Sequence, residues 1–138
     1  MKHYRCMITC CTAKKEEVLN ISQKVHDCVA KSGIKEGLAL VYPLHTSSAV
    51  YINDSDTALV GDMEKVLAGL VPEGAGYAHD ETDCKKNAHG HLRATLAGHH
   101  VVMPLTDGEL DLGAYQTIYY AEFDGRRDKE VLVKIIGE

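Results

Sequence analysis

Three histidines in this chain stand where side chains can converge on a pocket. His45 follows a predicted strand, His79 falls in a long polar connection, and His91 lies near the start of a predicted helix. Three imidazole nitrogens with one coordination position left open make the kind of site that catalytic zinc occupies. Their spacings, 34 and then 12 residues, match no local motif, and H-E-x-x-H is absent. On spacing alone a second reading stands beside the triad: three histidines that each satisfy a backbone carbonyl or face solvent. Histidine is the unusual residue here, with eight in total, five of them between His79 and His100. On a helix His89 and His91 differ by about 200°, so both cannot bind one ion. His99 and His100 are adjacent and face opposite sides of a strand.

Around them stand Asp80, Glu81 and Asp83, able to serve as metal ligand, orienting partner or general base, or simply as a solvated acidic loop. Arg126 and Arg127 suit phosphate or a charged hairpin turn. Ser47 and Ser48 lack a G-x-S-x-G elbow, and no Gly-rich phosphate loop or paired Asp-rich magnesium motif is present. Cys84 reads as a spare thiol.

The elements that position these residues follow from periodicity. Tyr4 to Cys10 reads as a strand with Cys6, Ile8 and Cys10 on one face. A helix is expected from a cap at Thr12, through Glu16 and Glu17, along Val18, Ile21, Val25 and Cys28, to Gly33. Leu38–Tyr42 and Ala49–Asn53 read as strands, and Val60 to Leu70 as a second helix. The stretch from Pro72 to Lys86 reads as a functional loop, and Asn87 as the cap of a third helix ended by Gly98. Val101–Leu105, Tyr115–Phe123 and Val131–Ile136 complete the strands, with turns at Asp107-Gly108 and Asp124-Gly125. The order β-α-β-β-α-α-β-β-β predicts an α+β fold with largely antiparallel sheets.

The chain has 138 residues, 45% hydrophobic and 25% charged, so a single domain spanning 1–138 is expected and disorder is excluded. A net charge of −5 argues against nucleic acid as partner. No apolar run reaches the roughly 18 residues of a membrane span, and no signal peptide is read at the N-terminus. The five cysteines show no C-x-x-C pair. Cys6, Cys10, Cys11 and Cys28 are therefore expected to be reduced and structural, as in a cytoplasmic protein.

An ordered set of short motifs runs through the chain: His45-Thr46-Ser47, Ile52-Asn53-Asp54, Asp62, Pro72, Tyr77-x-His79, Asn87-Ala88-x-x-His91-Leu92 with Gly98, Asp107-Gly108-x-Leu110, Leu112-Gly113-x-x-Gln116, and Glu122-Phe123-Asp124-Gly125. In order and spacing this set resembles the YjbQ-like family, often named secondary thiamine-phosphate synthase. The resemblance covers nearly the whole chain. It implies an α+β domain assembled as a homotrimer, with a small-molecule pocket lined by His45, His79 and His91 around a divalent metal, zinc above others. It also carries Gln116, Glu122 and Arg127 into the candidate catalytic set beside Glu81. The chain departs from the family pattern at Tyr115, where Trp is usual, at Arg126 for Pro, at Asp54 for Glu, and at His89, where an acidic residue is common.

Three activities are compatible with that pocket. The first joins a pyrimidine-methyl diphosphate to a thiazole phosphate, with Tyr77 and Tyr115 holding the pyrimidine. The second is metal-assisted hydrolysis of a small phosphate or amide, with Glu81 or Glu122 as base. The third is a trimeric metal or small-molecule binding protein without catalysis.

Overall fold

The computed structural model describes residues 1–138, and its architecture is mixed α+β with every strand pairing antiparallel. Twelve elements follow in order: β1 Lys2–Cys10, β2 Glu17–Asn20, α1 Ser22–Ser32, β3 Gly37–Pro43, β4 Ser48–Asp54, α2 Thr57–Leu70, α3 Ala78–Thr82, α4 Ala88–Ala97, β5 Val101–Thr106, β6 Glu109–Leu110, β7 Gln116–Glu122 and β8 Lys129–Gly137. They build a five-stranded sheet in the order β1-β8-β3-β5-β6 and a three-stranded sheet in the order β2-β7-β4.

Period-two alternation explains how the small sheet is buried on both faces. Val50, Ile118 and Tyr120 point into the main core, where they meet Ile8, Val41 and Val133 of the large sheet and Val25 and Val29 of α1. Their neighbours Tyr51, Tyr119, Ala121 and Phe123 point the other way, against Leu67 of α2 and Ala94 of α4. The outer face of the large sheet has no covering layer, and Leu38, Tyr42, Val102 and Ile136 are exposed there. No helix is long and apolar enough to cross a membrane.

Three expectations need correction. The first helix begins at Ser22, not after Thr12, because Val18 and Leu19 are taken as strand β2 against Ala121 and Tyr120. Thr12 caps no helix: its hydroxyl donates to the Lys14 carbonyl and accepts from Arg126 N. The stretch from Pro72 to Lys86 is not all loop, since α3 lies within it. Nor are Cys6 and Cys28 free thiols. They are paired as a disulfide with Cα atoms 6.1 Å apart, while Cys10, Cys11 and Cys84 are free. The inward face of β1 that carries Cys6 is the face on which α1 lays its Val25–Cys28–Val29 stripe. The disulfide therefore joins two elements whose packing was already dictated by apolar burial.

Gly33 ends α1 with φ of 67°, the left-handed conformation glycine favours at a helix C-terminus. Gly125 has a different reason. A Cβ there would collide with the Thr12 hydroxyl, the Lys14 carbonyl and the Glu122 side chain, so the chain turns tightly only without one.

A candidate site around His79, His91 and Asn87

Asn87 stands at the N-terminus of α4, yet its side chain makes no capping bond. The cap comes from α3 instead: Asp80 Oδ1 accepts from Ala88 N at 3.0 Å. Asn87 is thereby released for other work. Its Nδ2 donates to Asp124 Oδ2 at 2.9 Å, which fixes the amide orientation and turns Oδ1 toward two imidazoles. His79 Nε2 lies 3.1 Å from that oxygen, and His91 Nε2 also lies 3.1 Å from it. The two rings stand edge to face with centroids 5.0 Å apart. His79 Nε2 has a further acceptor in Asp83 Oδ2 at 3.3 Å.

His91 faces an oxygen acceptor at each ring nitrogen. Its Nδ1 lies 3.1 Å from the Thr46 carbonyl and its Nε2 3.1 Å from the Asn87 oxygen, and a neutral ring has one proton to give to these two acceptors. In either neutral tautomer the other nitrogen presents a lone pair to an oxygen. That contact is repulsive unless positive charge, a second proton or a metal ion, joins it. His79 and His91 open onto a cavity of about 600 Å³ whose walls include Thr46, Tyr77, Leu92 and Thr95. Such a volume suits a small-molecule ligand.

His45 does not join the pair. Its Nε2 accepts from Glu130 N at 2.9 Å, which occupies that lone pair and leaves the proton on Nδ1. Burial lowers its pKa, with Lys129 and Arg127 pushing the same way against Glu122 and Glu130. The ring is therefore held neutral, with neither nitrogen offering a free lone pair. It lines a separate cavity of about 220 Å³ with Thr46, Ala94, Thr95 and His99. No three His, Cys, Asp or Glu side chains are gathered around a common point to hold a metal ion.

The other candidates are dispersed. Glu122 is buried and bound to Lys129 Nζ at 3.0 Å, with the Tyr120 hydroxyl donating to it at 3.2 Å. Glu81 lines a neighbouring cavity of about 450 Å³ with Tyr77, Asp80 and Lys86. Gln116 opens β7 and accepts from Gly113 N at 2.8 Å. It lies roughly 20 Å along the strand from Glu122, at about 3.4 Å per residue. Arg127 is half-exposed and holds Asp124 at 3.2 Å. Burial alone would raise the Asp124 pKa, but the Asn87 amide, Arg127, Lys15 and Lys129 together hold it below the usual aspartate range.

His89 points inward, away from His91, as helical geometry requires. It is buried with Nε2 3.7 Å from Glu16 Oε1, which also accepts from Arg93 at 2.7 Å. Of the residues that build the site, sequence reasoning missed the role of Asn87 and Asp124. The signal available was a capping residue followed four positions later by a histidine on the same helix face.

The family described as UPF0047 protein YjbQ-like matches residues 7–138. A UPF0047 protein of Archaeoglobus fulgidus is 43% identical over 129 residues, covering 94% of this chain and 98% of that one. The UPF0047 protein of Methanothermobacter thermautotrophicus is 37% identical over 127 residues, covering 92% and 87%. Among solved structures, a YbjQ-like protein of unknown function from Sulfolobus solfataricus superposes with a TM-score of 0.94 at 33% identity, covering 99% of each chain. A hypothetical protein from Aeropyrum pernix gives 0.92 at 32% identity, covering 98% of this chain and 99% of that one. With near-complete coverage in sequence and in fold, this chain belongs to the YjbQ-like UPF0047 family.

Proposed function

We propose that this chain is a metal-assisted transferase of the thiamine-phosphate synthase type, acting on phosphorylated small molecules at the His79–His91 cavity. The observation that carries the reading is His91. Its Nδ1 lies against the Thr46 carbonyl and its Nε2, beside that of His79, against the fixed Asn87 oxygen, so that positive charge between them would relieve the unsatisfied contact. Two imidazole nitrogens are ligands that suit a divalent transition metal such as zinc, with the Asn87 amide oxygen beside them as a weaker donor. His79 and His91 would hold it, and when bound it supplies positive charge for a departing diphosphate. In the reaction a C–N bond forms between the pyrimidine methylene carbon and the thiazole nitrogen. The C–O bond to diphosphate breaks, and its electron pair leaves with the diphosphate.

The chain's own residues supply position. Tyr77, its hydroxyl tied to the Pro72 carbonyl at 2.8 Å, presents an aromatic wall for the pyrimidine. Asp124 holds Asn87 in the orientation that faces the imidazoles, and Arg127 brings a cation to the same corner. The homotrimer is part of the proposal: Tyr115 and Gln116, at the start of β7, are not among the walls of this cavity, so another copy would have to supply them. A metal-assisted hydrolase draws less support: Glu122 is locked to Lys129, and Glu81 lines the neighbouring cavity.

The test is to measure metal content and thiamine phosphate formation in the wild-type chain and in His79→Ala and His91→Ala. Stoichiometric zinc in the wild type, lost in both variants together with product, is expected. Wild-type protein that binds no metal after zinc loading, or makes no thiamine phosphate from the two precursors, overturns the reading.

A further inference from the structure

The cavity of about 220 Å³ beside the His79–His91 site shares Thr46 and Thr95 with it as a common wall. Its polar lining is His45, Thr46, Thr95 and His99, with no carboxylate among them. The Glu130 N–H bond to His45 Nε2 makes the His45 Nδ1–H a fixed donor. Thr95 donates its hydroxyl proton to the His91 carbonyl at 3.0 Å and so has none left for a ligand, while the Thr46 hydroxyl proton has no such commitment. The His99 ring is held edge-on by Tyr42, centroids 4.5 Å apart, which sets its plane at the cavity wall. A pocket furnished with hydrogen-bond donors and free of carboxylate suits an oxyanion and disfavours a cation.

We propose that this second cavity is an oxyanion subsite, taking the terminal phosphate of a phosphomonoester through His45 Nδ1–H and the Thr46 hydroxyl, with His99 as its opposite wall. It deepens the transferase reading: a reaction with two phosphorylated partners needs a second anion-binding place, and this one adjoins the first. His45 here is a substrate-binding donor, a role different from the metal ligation expected from the sequence.

The experiment is a titration of the metal-free protein with inorganic phosphate, followed by the ring ¹⁵N and ¹H resonances of the histidines. The His45 ring is expected as the Nδ1–H tautomer, with His45 and His99 shifting saturably as phosphate is added. The same shifts are expected in the His79→Ala/His91→Ala double variant. Thr46→Val, which keeps the fold and the Thr46 carbonyl, should weaken phosphate binding about tenfold, as expected for a lost hydrogen bond to a charged group. His45→Ala should weaken it at least as much. An Nε2–H tautomer at His45 overturns the proposal. So do shifts confined to His79 and His91, or binding indifferent to both substitutions. Because the readout requires neither metal nor turnover, its failure is distinguishable from failure of the transferase reading.

Discussion

Asp124 governs the site through one hydrogen bond to Asn87 and one to Arg127. Its pKa is held below the ordinary aspartate value, so it is a group whose ionised form the fold favours. The resulting stability is fully present above the unfolded aspartate value of about 3.9 and is lost as pH falls through the lower folded value. Acid unfolding followed by circular dichroism should show this limb in the wild type and a flatter one in Asp124→Asn. His45 acts at a higher pH with the same sign. Its lowered pKa means that the unfolded chain takes up a proton first as pH drops through about 6.5. Stability should therefore fall across that window, and His45→Gln should remove the dependence. Arg126 offers a third check. Its φ of 69° is one that proline cannot adopt, and its N–H donates to the Thr12 hydroxyl at 3.2 Å. A proline at this position would not stiffen this turn. Arg126→Pro should cost about 3 kcal/mol in chemical denaturation, whereas Arg126→Gly, relieved of left-handed strain, should gain up to about 1 kcal/mol.

Elements with one strong periodicity were legible in the sequence, and elements made by their neighbours were not. β7 alternates Ile118 and Tyr120 with Tyr119 and Ala121, each pair facing its own core, so its pattern names it. β2 has four residues and exists because β7 offers an open edge; Val18 and Ile21 fit a helical stripe equally well until that edge is known. At the site, His79 and His91 were legible as residues that would converge, but Asn87 was not. A capping type at a helix start predicts a cap, and nothing local announces that Asp80 will take the duty over. His45 was placed with them because all three flank elements, while its actual partner, Glu130 N, lies 85 positions away. The Cys6–Cys28 disulfide likewise links β1 and α1 through packing that spacing does not reveal. Denaturing alkylation without reductant should label three cysteines, and all five after reduction. Cys28→Ala should cost about 3 kcal/mol, the entropy of a closed loop of this length.

At the scale of the molecule, the uncovered face of the large sheet carries an exposed apolar patch. Leu38, Tyr42, Val102 and Ile136 stand exposed on three adjacent strands, β3, β5 and β8. An exposed sheet face of this kind is what subunit association covers. Light scattering at micromolar concentration should return a trimer mass, and Ile136→Glu should shift the population toward monomer. The family shares this architecture over nearly its full length, so the test bears on the relatives as well.

The borrowed cap on α4 has a dynamic consequence. Asp80 holds the first free amide of α4, and its neighbour His79 faces the Asn87 side chain, so α3 and the first turn of α4 are tied at two points. A ligand held by both imidazoles would bridge α3, through His79, to α4, through His91, and so add a third tie between them. Amide hydrogen exchange at Ala88 and Gly90 should therefore slow when the site is filled, without any change in the protection of β1 or β8. In Asp80→Ala the helix start should exchange quickly whether the site is filled or not.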